Sequence, residues 1–230
     1  MSDHGQISGV KEVDLPSSLL QWKGRMSPGA MTGFYLNDPD EIAVAVVELA
    51  RQPFTGLIFA DNVDGALPWS LTGNGHPRGP KLAFTLRATK PDAQDDACFF
   101  PGYIEPGGGF HGGVNRGELS TVLAASGPAF RSHFVSWTPT TLTDIAPTLL
   151  HLLGLTFDGC EGRILVESLN HWHGDPSMPG SLEKDWRHEI VMTNIGGYSQ
   201  HLAVWRHGSR AIIDCGWSDG DCAWREDFAG

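Results

Sequence analysis

The stretch Asp38-Pro39-Asp40-Glu41 constrains the fold of this chain more than any other. Asp38 can accept from the free N–H groups of a first helical turn, and Pro39 has no N–H to lose at the first helical position. Glu41 stands where a capping box places its acid. Ile42, Ala45, Val46 and Leu49 follow at helical spacing and form one core-facing stripe. Pro53 ends the helix, and Thr55 to Ala60 reads as a buried strand. A helix joined to a buried strand by so short a connection is the signature of an α/β layer.

The remaining pattern is consistent with that layer. Lys81 to Thr89 reads as a strand with Leu82, Phe84 and Leu86 on one face, and Ser120 to Ala125 as a second buried strand. Gly127-Pro128 breaks it. A second helix starts at the cap Asp144, accommodates Pro147 in its first turn, presents Leu149, Leu150, Leu152 and Leu153, and closes at Gly154. Glu189–Thr193, Leu202–Arg206 and Ala211–Asp214 read as strands, the last two joined by a turn at His207-Gly208. Residues 10–37 are irregular, anchored by Leu19, Leu20 and Trp22. Residues 61–80 and 90–118 are loops. No repeat and no linker separates domains.

Composition sets limits on function. With 16 Lys+Arg against 27 Asp+Glu, the net charge of −11 excludes nonspecific binding to a nucleic-acid polymer. An acidic chain can still act on phosphates through bound cations, which invert the local field. The four cysteines show no CxxC pairing, so a zinc ribbon is excluded, while the spacing leaves a Cys215–Cys222 bridge open. No apolar run reaches the length of a membrane span. Compartment and oligomeric state are not legible.

Chemistry concentrates at two places. Asp3 and His4 offer a hard oxygen and an imidazole nitrogen from adjacent residues, a pairing suited to zinc or manganese. His111 lies in Gly107-Gly108-Gly109-Phe110-His111-Gly112-Gly113, where five glycines would let the backbone approach a metal and its ligand closely. The competing reading of both is a tail and a flexible loop. His171-Trp172-His173 could face one way only if extended. His76, His133, His151, His188, His201 and His207 read as surface or packing residues. Arg116, close after His111, could touch a phosphate or simply face solvent.

Ser2-Asp3-His4-Gly5, His111-Gly112-Gly113, Leu119–Arg131 (LSTVLAASGPAFR) and Thr143–Leu155 (TDIAPTLLHLLGL) occur in that order. Together they resemble the alkaline phosphatase superfamily, most closely its nucleotide pyrophosphatase/phosphodiesterase branch. Gly162-Arg163-Ile164-Leu165 also looks like the segment after the family's Asp-x-x-Pro-Thr helix. The resemblance spans residues 1–9 and 105–215.

It implies a central α/β sheet flanked by helices, with 1–9 and 105–230 in the core and 10–104 as a cap-like insert. It also implies two divalent metal ions, zinc by preference, clamping the oxygens of phosphoryl transfer. Asp3 and His4 would hold one metal and His111 the other. Because the two metals are bridged, His111 is expected within about 10 Å of Asp3 or His4. The substrate class is a small phosphate ester or nucleotide. The family's Thr or Ser nucleophile and remaining ligands have no match here, since Thr72, Ser120 and Thr121 lack the required Asp partners. Too few residues precede Asp3 for the strand that carries such ligands. The chain is therefore expected to be the C-terminal part of one longer domain, with the N-terminal strands and the nucleophile upstream, and inactive alone. The alternatives are a sulfate- or phosphonate-ester hydrolase, or a noncatalytic chain that binds metal weakly or mediates contacts.

Overall fold

The computed structural model describes residues 2–9, 11–73, 76–88, 99–102, 104–156, 158–170 and 185–218. The His171-Trp172-His173 motif, Cys98, Cys222 with its possible bridge, and Thr89 at the end of an expected strand lie outside them. The chain divides into two compact units. One comprises Met1–Asp3, Thr121–Glu189 and Val204–Ile212; the other comprises His4–Ser120, Ile190–Ala203 and Ile213–Gly230.

In the second unit the chain forms, in order, β1 (Ile7–Ser8), β2 (Lys11–Glu12), α1 (Ser17–Leu20), β3 (Met26–Ser27), β4 (Met31–Phe34) and α2 (Pro39–Ala50). These are followed by β5 (Thr55–Ala60), β6 (Leu82–Leu86), β7 (Phe99–Phe100), β8 (Gly109–Phe110) and α3 (Arg116–Leu119). Four strands make an antiparallel sheet in the order β3-β4-β6-β5. α2 buries Ile42, Ala45, Val46 and Leu49 against one face, beside Phe34, Ile58 and Phe84. On the other face Leu57 and Phe59 pack with Leu67, Val114 and Leu202. Cover on both faces explains why every residue of β5 is buried.

A register shift in β5 between Thr55 and Ile58 interrupts the ladder with β6. Side chains meet the N–H groups there, Leu57 on the β6 side and Ile58 on the opposite edge, where its carbonyl accepts from Leu67 N–H. Leu57 N–H donates to Thr85 Oγ1 at 2.9 Å, and Ile58 N–H donates to the fully buried Gln200 side chain at 2.5 Å. Gln200 in turn donates to the Gly65 carbonyl at 2.5 Å.

In the first unit Asp144 is the hub. It closes a 3₁₀ turn and leads into α4 (Ile145–Leu152). Its carboxylate accepts from Thr141 N–H at 2.9 Å, from Arg163 N–H at 2.8 Å and from the Arg210 guanidinium. Thr148 Oγ1 donates to the Asp144 carbonyl at 2.7 Å and accepts from Leu165 N–H at 3.0 Å. Gly154, at φ +67°, closes α4, and Leu155 N–H bonds back to the Leu150 carbonyl at 2.9 Å. The last strands, β9 (Arg187–Ile195), β10 (Tyr198–His207) and β11 (Arg210–Ser218), have residues in both units and form a sheet in the order β11-β10-β9. The turn expected at His207-Gly208 is present, with Gly208 at φ +57°.

The expected alkaline phosphatase-like α/β architecture, a central sheet flanked by helices, is not what forms. Among the described residues, strands are distributed over four small sheets: the four-stranded one, β11-β10-β9, and the pairs β1-β8 and β2-β7. The signature at residues 38–60 misled for a specific reason. α2 does cross from β4 to β5, but β6 inserts between them antiparallel to both, so no parallel neighbours result.

Three local expectations also fail. Residues 120–125 form no strand, and Val122 is 68% exposed. The apolar surface expected from Leu149, Leu150, Leu152 and Leu153 is in part exposed, at Leu149 and Leu153. Glu41 caps nothing, because its carboxylate instead accepts from Trp22 Nε1 and Arg25 Nη1, both at 2.9 Å. Among the described residues no helix is long and apolar enough to cross a membrane.

Candidate functional site

The two-residue ladder of β1 with β8 decides where the histidines go. Ile7 pairs with Phe110 and Ser8 with Gly109, antiparallel. Residues preceding Ile7 therefore run beside those following Phe110. His4 and His111 meet there: their rings are stacked, with centroids 3.5 Å apart and planes inclined by 17°. His111 thus falls well within the distance expected from His4. His4 is half-buried and His111 exposed. Asp3, also exposed, belongs to the other unit.

The His4 ring is oriented by its own backbone neighbour. Nδ1 lies 2.7 Å from the Gly5 carbonyl oxygen, which can only accept, so Nδ1 is the donor. An imidazole fixed this way is the form that metal-binding histidines adopt. Among the described residues no group of three or more His, Cys, Asp or Glu side chains that could hold a metal ion is gathered in one place.

Glu118 is the residue that the sequence reading missed. It is the third residue of α3, whose cap is Asn115, and the two form a capping box. Its carboxylate is buried. Oε1 accepts from Gly113 N–H at 2.8 Å and Oε2 from Asn115 N–H at 3.2 Å. Its own carbonyl accepts from Gly5 N–H at 2.8 Å. Burial pushes the Glu118 carboxyl above the ordinary range, against the downward pull of the Gly113 and Asn115 bonds. The signal was legible as Asn-x-x-Glu two residues after His111-Gly112-Gly113.

The glycines around the pair acquire a different explanation. A Cβ at Gly5 would stand 2.0 Å from the Gly117 carbonyl oxygen, and one at Gly113 would stand 2.6 Å from Glu118 Oε2. At these two positions the close approach is to protein, not to a metal.

Arg116, the hydroxyls of Thr72 and Thr121, which lack Asp partners, and His188 and His201, read as surface or packing residues, have structural partners. Arg116 pairs with Asp214 at 3.5 Å. Thr121 Oγ1 donates to the Ser2 carbonyl at 2.6 Å, and Thr72 Oγ1 to the Trp69 carbonyl at 2.8 Å. His201 stacks on Trp217, and His188 lies against Trp205 with centroids 4.5 Å apart. Comparison of the chain with protein-family models, with curated proteins and with solved structures returns no match.

Proposed function

We propose that this chain contributes metal ligands to the hydrolysis of phosphodiester or pyrophosphate bonds in nucleotides or similar small esters. The observation that supports this reading is the His4–His111 pair. Two histidines distant in sequence converge with stacked rings, and His4 is held in a ligand-competent tautomer. The reading takes nothing from the sheet architecture, which departs from that of the alkaline phosphatase superfamily.

In this proposal His4, with Asp3 beside it in the chain, serves one divalent cation and His111 serves a second. Zinc fits an imidazole–carboxylate donor set. Bound cations would polarise a phosphoryl oxygen and neutralise charge developing on it. The chain's own part is to hold two imidazoles in parallel and keep the His4 proton on Nδ1, away from the ligand position. None of its hydroxyls is assigned as nucleophile.

Zinc calorimetry tests the ligand assignment. The chain should bind zinc weakly, and His4→Ala or His111→Ala should each reduce the binding while the far-ultraviolet dichroism stays unchanged. Tight stoichiometric binding that survives both substitutions would overturn the assignment. Hydrolysis is tested on bis-p-nitrophenyl phosphate and p-nitrophenyl sulfate. The chain alone should not exceed a metal-only control. When it is joined to a segment supplying a Thr or Ser nucleophile and further ligands, EDTA-sensitive turnover should favour the phosphodiester. Preference for the sulfate would move the assignment to sulfate esters.

A second reading, a noncatalytic chain that mediates contacts, draws on a separate observation. Val122, Val135, Trp137 and Leu153 are 68%, 68%, 76% and 71% exposed. Exposed apolar side chains mark an interaction surface where they form one contiguous patch. His4→Ala and His111→Ala would leave that activity intact.

A further inference from the structure

We infer that Glu118 is the positioning residue that holds His4 and His111 against each other. The inference deepens the proposed function, and its use in metal binding rests on that reading. The His111 ring is exposed, and both histidines sit on irregular backbone beyond a two-residue ladder. A ladder that short does not hold its flanks in place, since fixing each residue costs about 1–2 kcal/mol of backbone entropy.

Glu118 supplies a restraint on each side of the pair. Its backbone carbonyl takes the N–H of Gly5, the residue after His4. Its side chain takes the N–H of Gly113, two residues after His111, and that of Asn115. With 4% of its surface exposed, the carboxylate sits on the 113–115 backbone. The lack of a side chain at Gly5 and Gly113 permits both approaches. One residue thus ties together two segments that are remote in sequence. A carboxylate suits the task better than an amide, because it offers an acceptor oxygen to each of two N–H donors. Glutamine offers only one.

The test uses the whole chain without metal first. Long-range proton–nitrogen NMR correlations of the two imidazoles report the Nδ1–H tautomer of His4, and their ring protons carry the upfield shifts of face-to-face stacking. Glu118→Ala, which keeps the carbonyl that Gly5 N–H donates to, should abolish those shifts, while the Nδ1–H signature and the amide signals of α2 and β5 stay in place. Glu118→Gln, which keeps shape and one acceptor, should retain part of the stacking and lose hydrogen-exchange protection at Gly113 or Asn115. Zinc titration of the same variants should show affinity reduced about 10–100-fold in Glu118→Ala, the range for outer-shell groups that orient a ligand.

Stacking that persists in Glu118→Ala would overturn the inference. Should that variant not fold, unchanged protection at both amides and full stacking in Glu118→Gln would overturn it equally. Stacking lost in Glu118→Ala, with zinc bound by neither form, would sustain the inference and sink the metal-binding reading alone.

Discussion

Cys215 illustrates how burial rather than identity sets a side chain's chemistry. Its thiol is buried, and burial first, then the nearby Asp214 charge, push its pKa up to about 11. Native Cys215 should therefore resist iodoacetamide at pH 8, while half-exposed Cys160 reacts. Peptide-level mass spectrometry with and without urea checks this. Because the folded pKa is raised, the neutral thiol's contribution to stability is complete below the ordinary thiol range near 8.5. It is lost as pH rises through about 11. A Cys215→Ser variant should lack that alkaline loss. Glu41 shows the opposite sign: the Arg25 and Trp22 hydrogen bonds hold its exposed carboxyl below the usual range.

At the scale of elements, side chains repair what the backbone ladder leaves open. The Ile58 N–H faces the outer edge of a fully buried strand, and Gln200 of β10 meets it. Gln200→Leu should cost about 1–3 kcal/mol for each backbone group left unpaired, visible as a lowered urea midpoint. Asp144 plays the same part for α4. Its carboxylate is fully buried and joins Thr141, Arg163 and Arg210. Asp144→Ala leaves the Arg210 charge uncompensated and should destabilise by about 3–5 kcal/mol. The helix at 39–50 was readable because its cap, its proline and its stripe all agree. Residues 120–125 were not, since an apolar run becomes a strand only when layers cover both faces and neighbours complete its ladder.

For the whole molecule, charge and exposed apolar surface oppose each other. A net charge of −11 keeps copies apart, while Val122, Val135, Trp137 and Leu153 favour association. Salt screens the first and leaves the second, with a Debye length of about 10 Å at 0.1 M and about 3 Å at 1 M. Self-association measured by sedimentation velocity should therefore rise with salt. The double substitution Trp137→Ser with Leu153→Ser should suppress it while changing stability by no more than about 0.5 kcal/mol per site. Association that falls with added salt would show the contacts to be ionic instead.

The sequence by itself determined the features whose causes are local. It gave away α2, the strands at 55–60 and near 82–86, the Gly154 helix stop and the turn at Gly208, each written in caps, periodicity or a glycine that can reach positive φ. It also singled out His4 and His111. Tertiary structure alone decided that β6 inserts between β4 and β5, that the strands of the described residues divide into four sheets, and that α4 leaves leucines in water. It also decided that Glu118 ties the two histidine segments together and that the glycines there make room for protein atoms. Pairing order and burial depend on which distant segments compete for the same edge or face, and a pattern of adjacent residues carries no record of that competition.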